Sequence, residues 1–254
     1  MGWANRRFSP ATAAQMSLAS SLKHQGLEGM LNVEDLRGAL IVSCQAHGDH
    51  PLRDTSMISV LAQCAERGGA AAIRADGPED IRSIREAVSL PIVGIYKVAC
   101  GSRFFITPTL GHARNVVAAG ADMVAVEATL EYRPDQGDLE TLIRRIREEL
   151  GVPVVADIST FEEALRARKS GAELVATTLS GYTRDSPERE EPDLDLVKKL
   201  AEASVPVVAE GHVRTPEQVG ELFNRGAHSV VVGTAITDPV TITSWFARAA
   251  RSKS

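Results

Sequence analysis

The chain has 254 residues, 44% of them hydrophobic and 24% charged, the size and balance of one α/β barrel domain. Its formal net charge of -5 leaves no basic field for a nucleic-acid backbone or an anionic membrane surface, so any phosphate has to be bound locally. The three cysteines fit neither a disulfide scaffold nor a zinc site, no apolar run approaches the about 20 residues of a membrane span, and no signal-peptide core is present, so a soluble cytoplasmic protein is expected.

Residues 1–30 are rich in Ser, Ala and Gln and fit no strand–helix unit. They read as an N-terminal extension, flexible or partly helical, with 31–254 as a single barrel domain. Eight apolar runs then follow in order: Ala39 to Cys44, Ala70 to Arg74, Pro91 to Lys97, Asp122 to Ala128, Val152 to Ile158, Glu173 to Leu179, Val205 to Glu210 and Ser229 to Ala235. Each precedes a helix-like stretch such as Ser56 to Arg67, Leu139 to Leu150, Phe161 to Lys169 or Pro216 to Arg225, which predicts a (β/α)₈ TIM barrel. Aromatics at 4% leave Ala, Val, Leu and Ile for the core, as parallel strands covered on both faces require. The punctuation agrees: Gly120, Gly171 and Gly226 end helices, Pro91, Pro153 and Pro206 open strands, and Thr160 with Glu163 and Thr215 with Gln218 have capping-box spacing.

In such a barrel the active site lies at the C-terminal ends of the strands. That rule selects Ser43, Gln45, Arg74, Lys97, Glu127, Thr129, Asp157, Thr178, Ser180, Glu210 and Thr234. Lys97 closes an apolar run, where desolvation lowers a lysine pKa towards that of a base or nucleophile; the alternative is a snorkelling lysine paired with a carboxylate. Glu210 faces the same bowl, and a Lys and a Glu across a small cavity suit proton transfer beside a carbonyl. Gly211, Gly233 and Thr234 follow strands seven and eight, where barrels hold phosphate on backbone N–H groups. No metal site is expected: His47, Asp49 and His50 read as a chance cluster in a solvated loop. Cys44 reads as a small buried hydrophobe, and the loop Ser180 to Asp193 as either a lid or a solvated surface loop.

Several of these segments together resemble one family. Val42-Ser43-Cys44-Gln45, Ala72-Ile73-Arg74, Gly94-Ile95-Tyr96-Lys97, Ile106-Thr107-Pro108-Thr109, Ala156-Asp157-Ile158-Ser159-Thr160, Thr177-Thr178-Leu179-Ser180-Gly181-Tyr182-Thr183, Ala209-Glu210-Gly211 and Gly233-Thr234-Ala235-Ile236-Thr237 look like the motifs of the N-acetylmannosamine-6-phosphate 2-epimerase family, in its order. The resemblance implies a homodimeric barrel that interconverts N-acetylmannosamine 6-phosphate and N-acetylglucosamine 6-phosphate in sialic acid catabolism, without a cofactor. It further implies that Lys97 removes and returns the C2 proton and that Glu210 assists ring opening or proton exchange. Gln45, Arg74, Asp157, Thr178 and Glu127 then contact substrate, and Gly211, Gly233 and Thr234 hold the phosphate.

The chain departs from this family at Asp238, where the pattern has Arg, at His212, where it favours Lys or Arg, at Glu127-Ala128-Thr129, and in the loop Val98 to Phe104. Because these departures fall on ligand-binding positions, three alternatives stand beside the epimerase: the same chemistry on a different sugar phosphate, a Schiff-base lyase using Lys97, and a non-catalytic sugar-phosphate-binding barrel. Arg103 and Arg214 are the candidates to replace the missing positive charge.

Overall fold

A computed structural model describes residues 31–101, 103–130 and 138–251. The proposed N-terminal extension, residues 1–30, lies outside the described residues. Eight parallel strands close into a barrel: β1 (Ala39–Cys44), β2 (Ala72–Asp76), β3 (Ile92–Ile95), β6 (Met123–Glu127), β7 (Val154–Asp157), β8 (Leu174–Ala176), β9 (Val207–Ala209) and β10 (Ser229–Val232), with β10 hydrogen-bonded back to β1. β4 (Lys97–Cys100) and β5 (Arg103–Ile106) form a separate antiparallel hairpin after β3.

The helices α1 (Thr55–Gly68), α2 (Pro78–Ala87), α3 (Leu110–Ala118), α4 (Leu139–Arg145), α5 (Phe161–Lys169), α6 (Leu194–Glu202) and α7 (Pro216–Asn224) are interleaved with the barrel strands, and α8 (Thr234–Thr237) and α9 (Pro239–Arg251) complete the described chain. Both predicted capping boxes are present, Thr160 with Glu163 and Thr215 with Gln218.

Side-chain alternation divides the core into two layers. One face of the strands packs Val42, Ile73, Val124, Ala156 and Val230 against the helices. The other fills the barrel with Ile41, Val93, Met123, Val155 and Val231, together with Leu36 from the 3₁₀ turn before β1. The same alternation continues to the strand ends and turns Ser43, Arg74, Asp76, Glu127, Asp157 and Glu210 to the barrel interior. Gly94 is required on the helix-facing side, since a Cβ there would lie 2.6 Å from the Cβ of Ala121. Gly226 takes the left-handed φ of +93° predicted after its helix.

Several strands are shorter than their apolar runs. The third ends at Ile95, and Lys97 opens the hairpin instead of closing the barrel strand. The chain turns there because the Tyr96 N–H donates to Thr107 Oγ1 at 3.0 Å and Thr107 N–H donates to the Tyr96 carbonyl at 2.8 Å, clamping the hairpin's base. β8 gives way to a 3₁₀ turn at Thr177–Leu179, and β10 to α8. β2 runs two residues beyond its expected end, to Asp76.

Candidate active site

The barrel mouth holds a cavity of about 590 Å³ lined by Gln45, His47, Lys97, Thr178, Glu210 and Gly211 on its inner side and by His50, His212, Arg214, Asp238, Thr241 and Trp245 towards its outer end. Around the barrel, β3 and β9 stand four strands apart in either direction. Lys97, just after β3, and Glu210, just after β9, therefore enter the cavity from opposite sides.

Beneath the cavity lies a buried ionic cluster. Arg74, 2% exposed, forks onto Asp157, 0% exposed, with NH1 to Oδ1 at 3.1 Å and NH2 to Oδ2 at 2.7 Å, and its NH1 also lies 3.3 Å from Glu210 Oε2. Burial opposes the guanidinium charge, but the two carboxylates override it and keep Arg74 protonated. The Thr178 hydroxyl lies 2.7 Å from Asp157 Oδ1 and 3.0 Å from Glu210 Oε2. It has one hydrogen for two acceptors. It therefore donates to one carboxylate at a time, and the two acceptors share its proton. Burial, with the Asp157 charge, pushes the Glu210 carboxyl above its ordinary value, against Arg74 and the Thr178 hydrogen bond. Thr177 fixes the backbone of Glu210, accepting from its N–H at 3.0 Å and donating to its carbonyl at 2.8 Å.

Lys97 is held by different means. Its backbone N–H donates to Asp76 Oδ1 at 2.9 Å, and its Nζ donates to Gln45 Oε1 at 2.8 Å. Gln45 in turn donates to Ser43 Oγ at 2.8 Å. The ring Nε2 of His47 lies 3.2 Å from Nζ and 3.6 Å from Asp76 Oδ2. Burial, reinforced by the Arg74 charge, pushes the Lys97 ammonium below the ordinary lysine range, against the pull of Asp76, Glu210 and Asp157. Burial thus moves the glutamate up and the lysine down, the direction in which buried groups are tuned for general acid and base work.

Among the residues selected from the sequence, Ser43, Gln45, Lys97, Thr178, Glu210, Gly211, Gly233 and Thr234 line the cavity, while Arg74 and Asp157 form its buried floor. Glu127 is also fully buried, but its carboxylate is taken up by Arg103 NH2 at 2.6 Å, the Thr129 hydroxyl at 2.8 Å and the Ile106 N–H at 3.3 Å, so it braces the hairpin and does not line the cavity. Ser180 likewise faces away, donating to Asp193 at 2.7 Å. Cys44 is buried and its thiol is pushed up to about 12, chiefly by burial, which suits an inert position.

Two groups escaped the sequence reading. Asp76 was hidden because the second run was ended at Arg74, although alternation from Arg74 points it inward. His47 and His50, read as a chance cluster, instead have separate partners in Lys97 and Asp238. Of the loop Ser180 to Asp193, Tyr182 lines the cavity, its ring stacked on His212 at 4.8 Å, and the Thr183 hydroxyl donates to Ser159 at 2.8 Å.

Comparison with known proteins identifies the family. The family model described as "Putative N-acetylmannosamine-6-phosphate epimerase" matches residues 58–252. A Cutibacterium acnes protein described in the same terms, as a 2-epimerase, is 44% identical over 223 residues, 86% of this chain and 96% of that protein. One from Caldanaerobacter subterraneus, so described too, is 46% identical over 217 residues, 84% of this chain and 92% of that protein. The solved structure of the N-acetylmannosamine-6-phosphate 2-epimerase from Clostridium perfringens superposes with a TM-score of 0.83 at 39% identity, covering 89% of this chain and 98% of that one. The chain belongs to the N-acetylmannosamine-6-phosphate 2-epimerase family.

Proposed function

We propose that this protein interconverts N-acetylmannosamine 6-phosphate and N-acetylglucosamine 6-phosphate by moving the proton on C2. The observation that carries this reading is the placement of Lys97 and Glu210 on opposite sides of one cavity with their proton affinities shifted towards each other. In the open-chain sugar C2 is next to the C1 aldehyde, so its proton is acidic. The neutral amine of Lys97 takes that proton from one face, and the C2–H electron pair becomes an enolate on C1–C2. In place of the exchange by Lys97 alone that the resemblance implies, the carboxylic acid of Glu210 returns a proton to C2 from the other face, leaving Lys97 as ammonium and Glu210 as carboxylate. The reverse reaction runs the same transfers backwards, and no oxidant or cofactor enters the balance. Asp157 and Thr178 hold Arg74 and Glu210 in register, and the Arg74 charge favours negative charge forming above it.

The finer assignments follow from the same reading. Gln45 binds substrate beside Lys97, and Gly211, Gly233 and Thr234 take the phosphate end. The setting is the cytoplasm, in sialic acid catabolism, which suits the unpaired thiols of Cys44, Cys64 and Cys100, and the working form is a homodimer. Among the described residues no helix is long and apolar enough to cross a membrane.

The test is incubation with N-acetylmannosamine 6-phosphate in deuterated water, followed at C2 by proton NMR. Conversion with deuterium uptake is expected, and Lys97→Ala should slow it by about 10²–10⁴-fold, the usual worth of a general base. Absence of exchange at high protein concentration would sink the reading. Asp238 and His212 favour one variant of it, the same proton transfer on another sugar phosphate; a panel of 2-acetamido and 2-hydroxy sugar phosphates, ranked by kcat/KM, separates the two.

A further inference from the structure

The outer end of the cavity contains an acid, Asp238, where an anionic ligand needs positive charge. Its carboxylate is already used. Oδ1 accepts from the Thr241 N–H at 2.8 Å and lies 3.2 Å from His50 Nε2, and Oδ2 accepts from the Thr241 hydroxyl at 2.7 Å. Asp238 thereby caps the start of α9. His50 is used as well: Nδ1 accepts from the Leu52 N–H at 3.1 Å, which makes Nε2 the protonated nitrogen and directs it at Asp238. Neither side chain has a donor left for a ligand.

Arg214 differs in every respect. Its backbone N–H donates to Gln218 Oε1 at 2.7 Å, one residue before the Thr215 cap, so the capping box of α7 anchors its main chain. Its guanidinium carbon lies 5.4 Å from the ring centroid of Trp245 on α9, and both residues line the cavity. A cation–π contact with an indole uses the charge of the guanidinium and none of its N–H donors, so the fork that matches two phosphate oxygens is not consumed by Trp245. Arg74 and Arg103 are paired with buried carboxylates, whereas Arg214 has no carboxylate within ion-pair distance among the described residues. Only Lys97 and Arg214, of the described residues lining the cavity, are lysine or arginine, and they approach it from opposite sides of the barrel.

We propose that Arg214, braced on Trp245, binds the phosphate of a phosphorylated sugar from the β9 side and sets the preference for phosphorylated ligands, while Asp238 on the β10 side only caps α9 and orients His50. The proposal rests on the sugar-phosphate reading of the cavity and adds a residue and a direction to it. Such a ligand spans the barrel mouth, with its anion at Arg214 and its reacting carbon at Lys97.

Isothermal titration with inorganic phosphate tests this without turnover. Arg214→Gln should weaken phosphate binding about tenfold or more, and Arg214→Lys should recover part of the loss, since it keeps the charge but not the fork. With N-acetylmannosamine 6-phosphate, the loss in Arg214→Gln should fall on KM, by about 10–100-fold, and the preference for that substrate over unphosphorylated N-acetylmannosamine should drop by the same factor. Trp245→Leu removes the brace without changing charge, and a smaller loss in the same direction is expected. Phosphate affinity and KM within about threefold of wild type in Arg214→Gln overturn the proposal, as does a wild-type protein that does not bind phosphate. Phosphate binding that depends on Arg214, without C2 exchange, upholds the assignment and removes the epimerase reading instead.

Discussion

The floor of the cavity and its outer end are held in different ways. On the floor, Arg74, Asp157 and Thr178 bond to one another and to Glu210 from strand ends or the turn directly after one, and the guanidinium and the Asp157 carboxylate are almost wholly shielded from water. At the outer end, His50, Asp238 and Arg214 sit in loops or at helix entries, each tied to local backbone or helix caps and partly open to solvent. A group on the floor cannot change without stranding a buried charge. A group at the outer end changes at little cost to the fold. Of the departures that the family resemblance leads one to expect, His212 and Asp238 fall at this outer end, whereas Glu127 is a fully buried carboxylate paired with Arg103 and lies outside the contrast.

Three measurements sharpen or break that contrast. The largest effect is expected from Arg74→Met, which fills the space but leaves the Asp157 carboxylate buried without its cation; denaturant unfolding should show a loss of about 3–5 kcal/mol. A loss below about 1 kcal/mol would mean that water reaches the floor and that its rigidity has another source. Next, the pH profile of kcat/KM should be a bell whose two limbs both lie inside the interval from 4.5 to 10.5 set by ordinary glutamate and lysine side chains. The sign follows from the two shifts: burial favours the uncharged form of each group, so Glu210 keeps its proton above the usual carboxylate range and Lys97 gives its proton up below the usual ammonium range. A limb outside that interval would detach the corresponding residue from the chemistry. Smallest is Asp238→Asn. Asparagine caps helices as well as aspartate does, so stability should stay within about 0.5 kcal/mol. Phosphate affinity should rise about two- to tenfold as a negative charge leaves the site, and should fall back as salt is added.

Much of the floor was legible because it depends on local patterns. Alternation along a strand fixes which face a residue takes, and Arg74, Asp157 and Glu210 share the inward parity of the barrel core. Asp76 obeys the same parity and was missed only through a strand ended two residues early. Glu127 was correctly read as inward, yet its role was not visible, because the Arg103 that occupies it comes from a hairpin folded over the barrel. Pro91 to Lys97 reads as one strand; the clamp between Tyr96 and Thr107, which turns Lys97 into the start of a hairpin, spans 11 residues and has no signature in the run itself.

The sequence by itself therefore determined the barrel, its helix caps and glycine breaks, and the inward carboxylates and arginine at the strand ends, since each rests on a period or spacing within one βα unit. Tertiary structure alone decided the pairings across units. His47 meets a lysine 50 positions away, and His50 meets Asp238 across 188 positions. Arg214, after β9, meets Trp245 of α9 at the cavity across 31 positions. The His50–Asp238 contact depends on the closing of β10 onto β1, and all three depend on the barrel gathering distant loops at one rim.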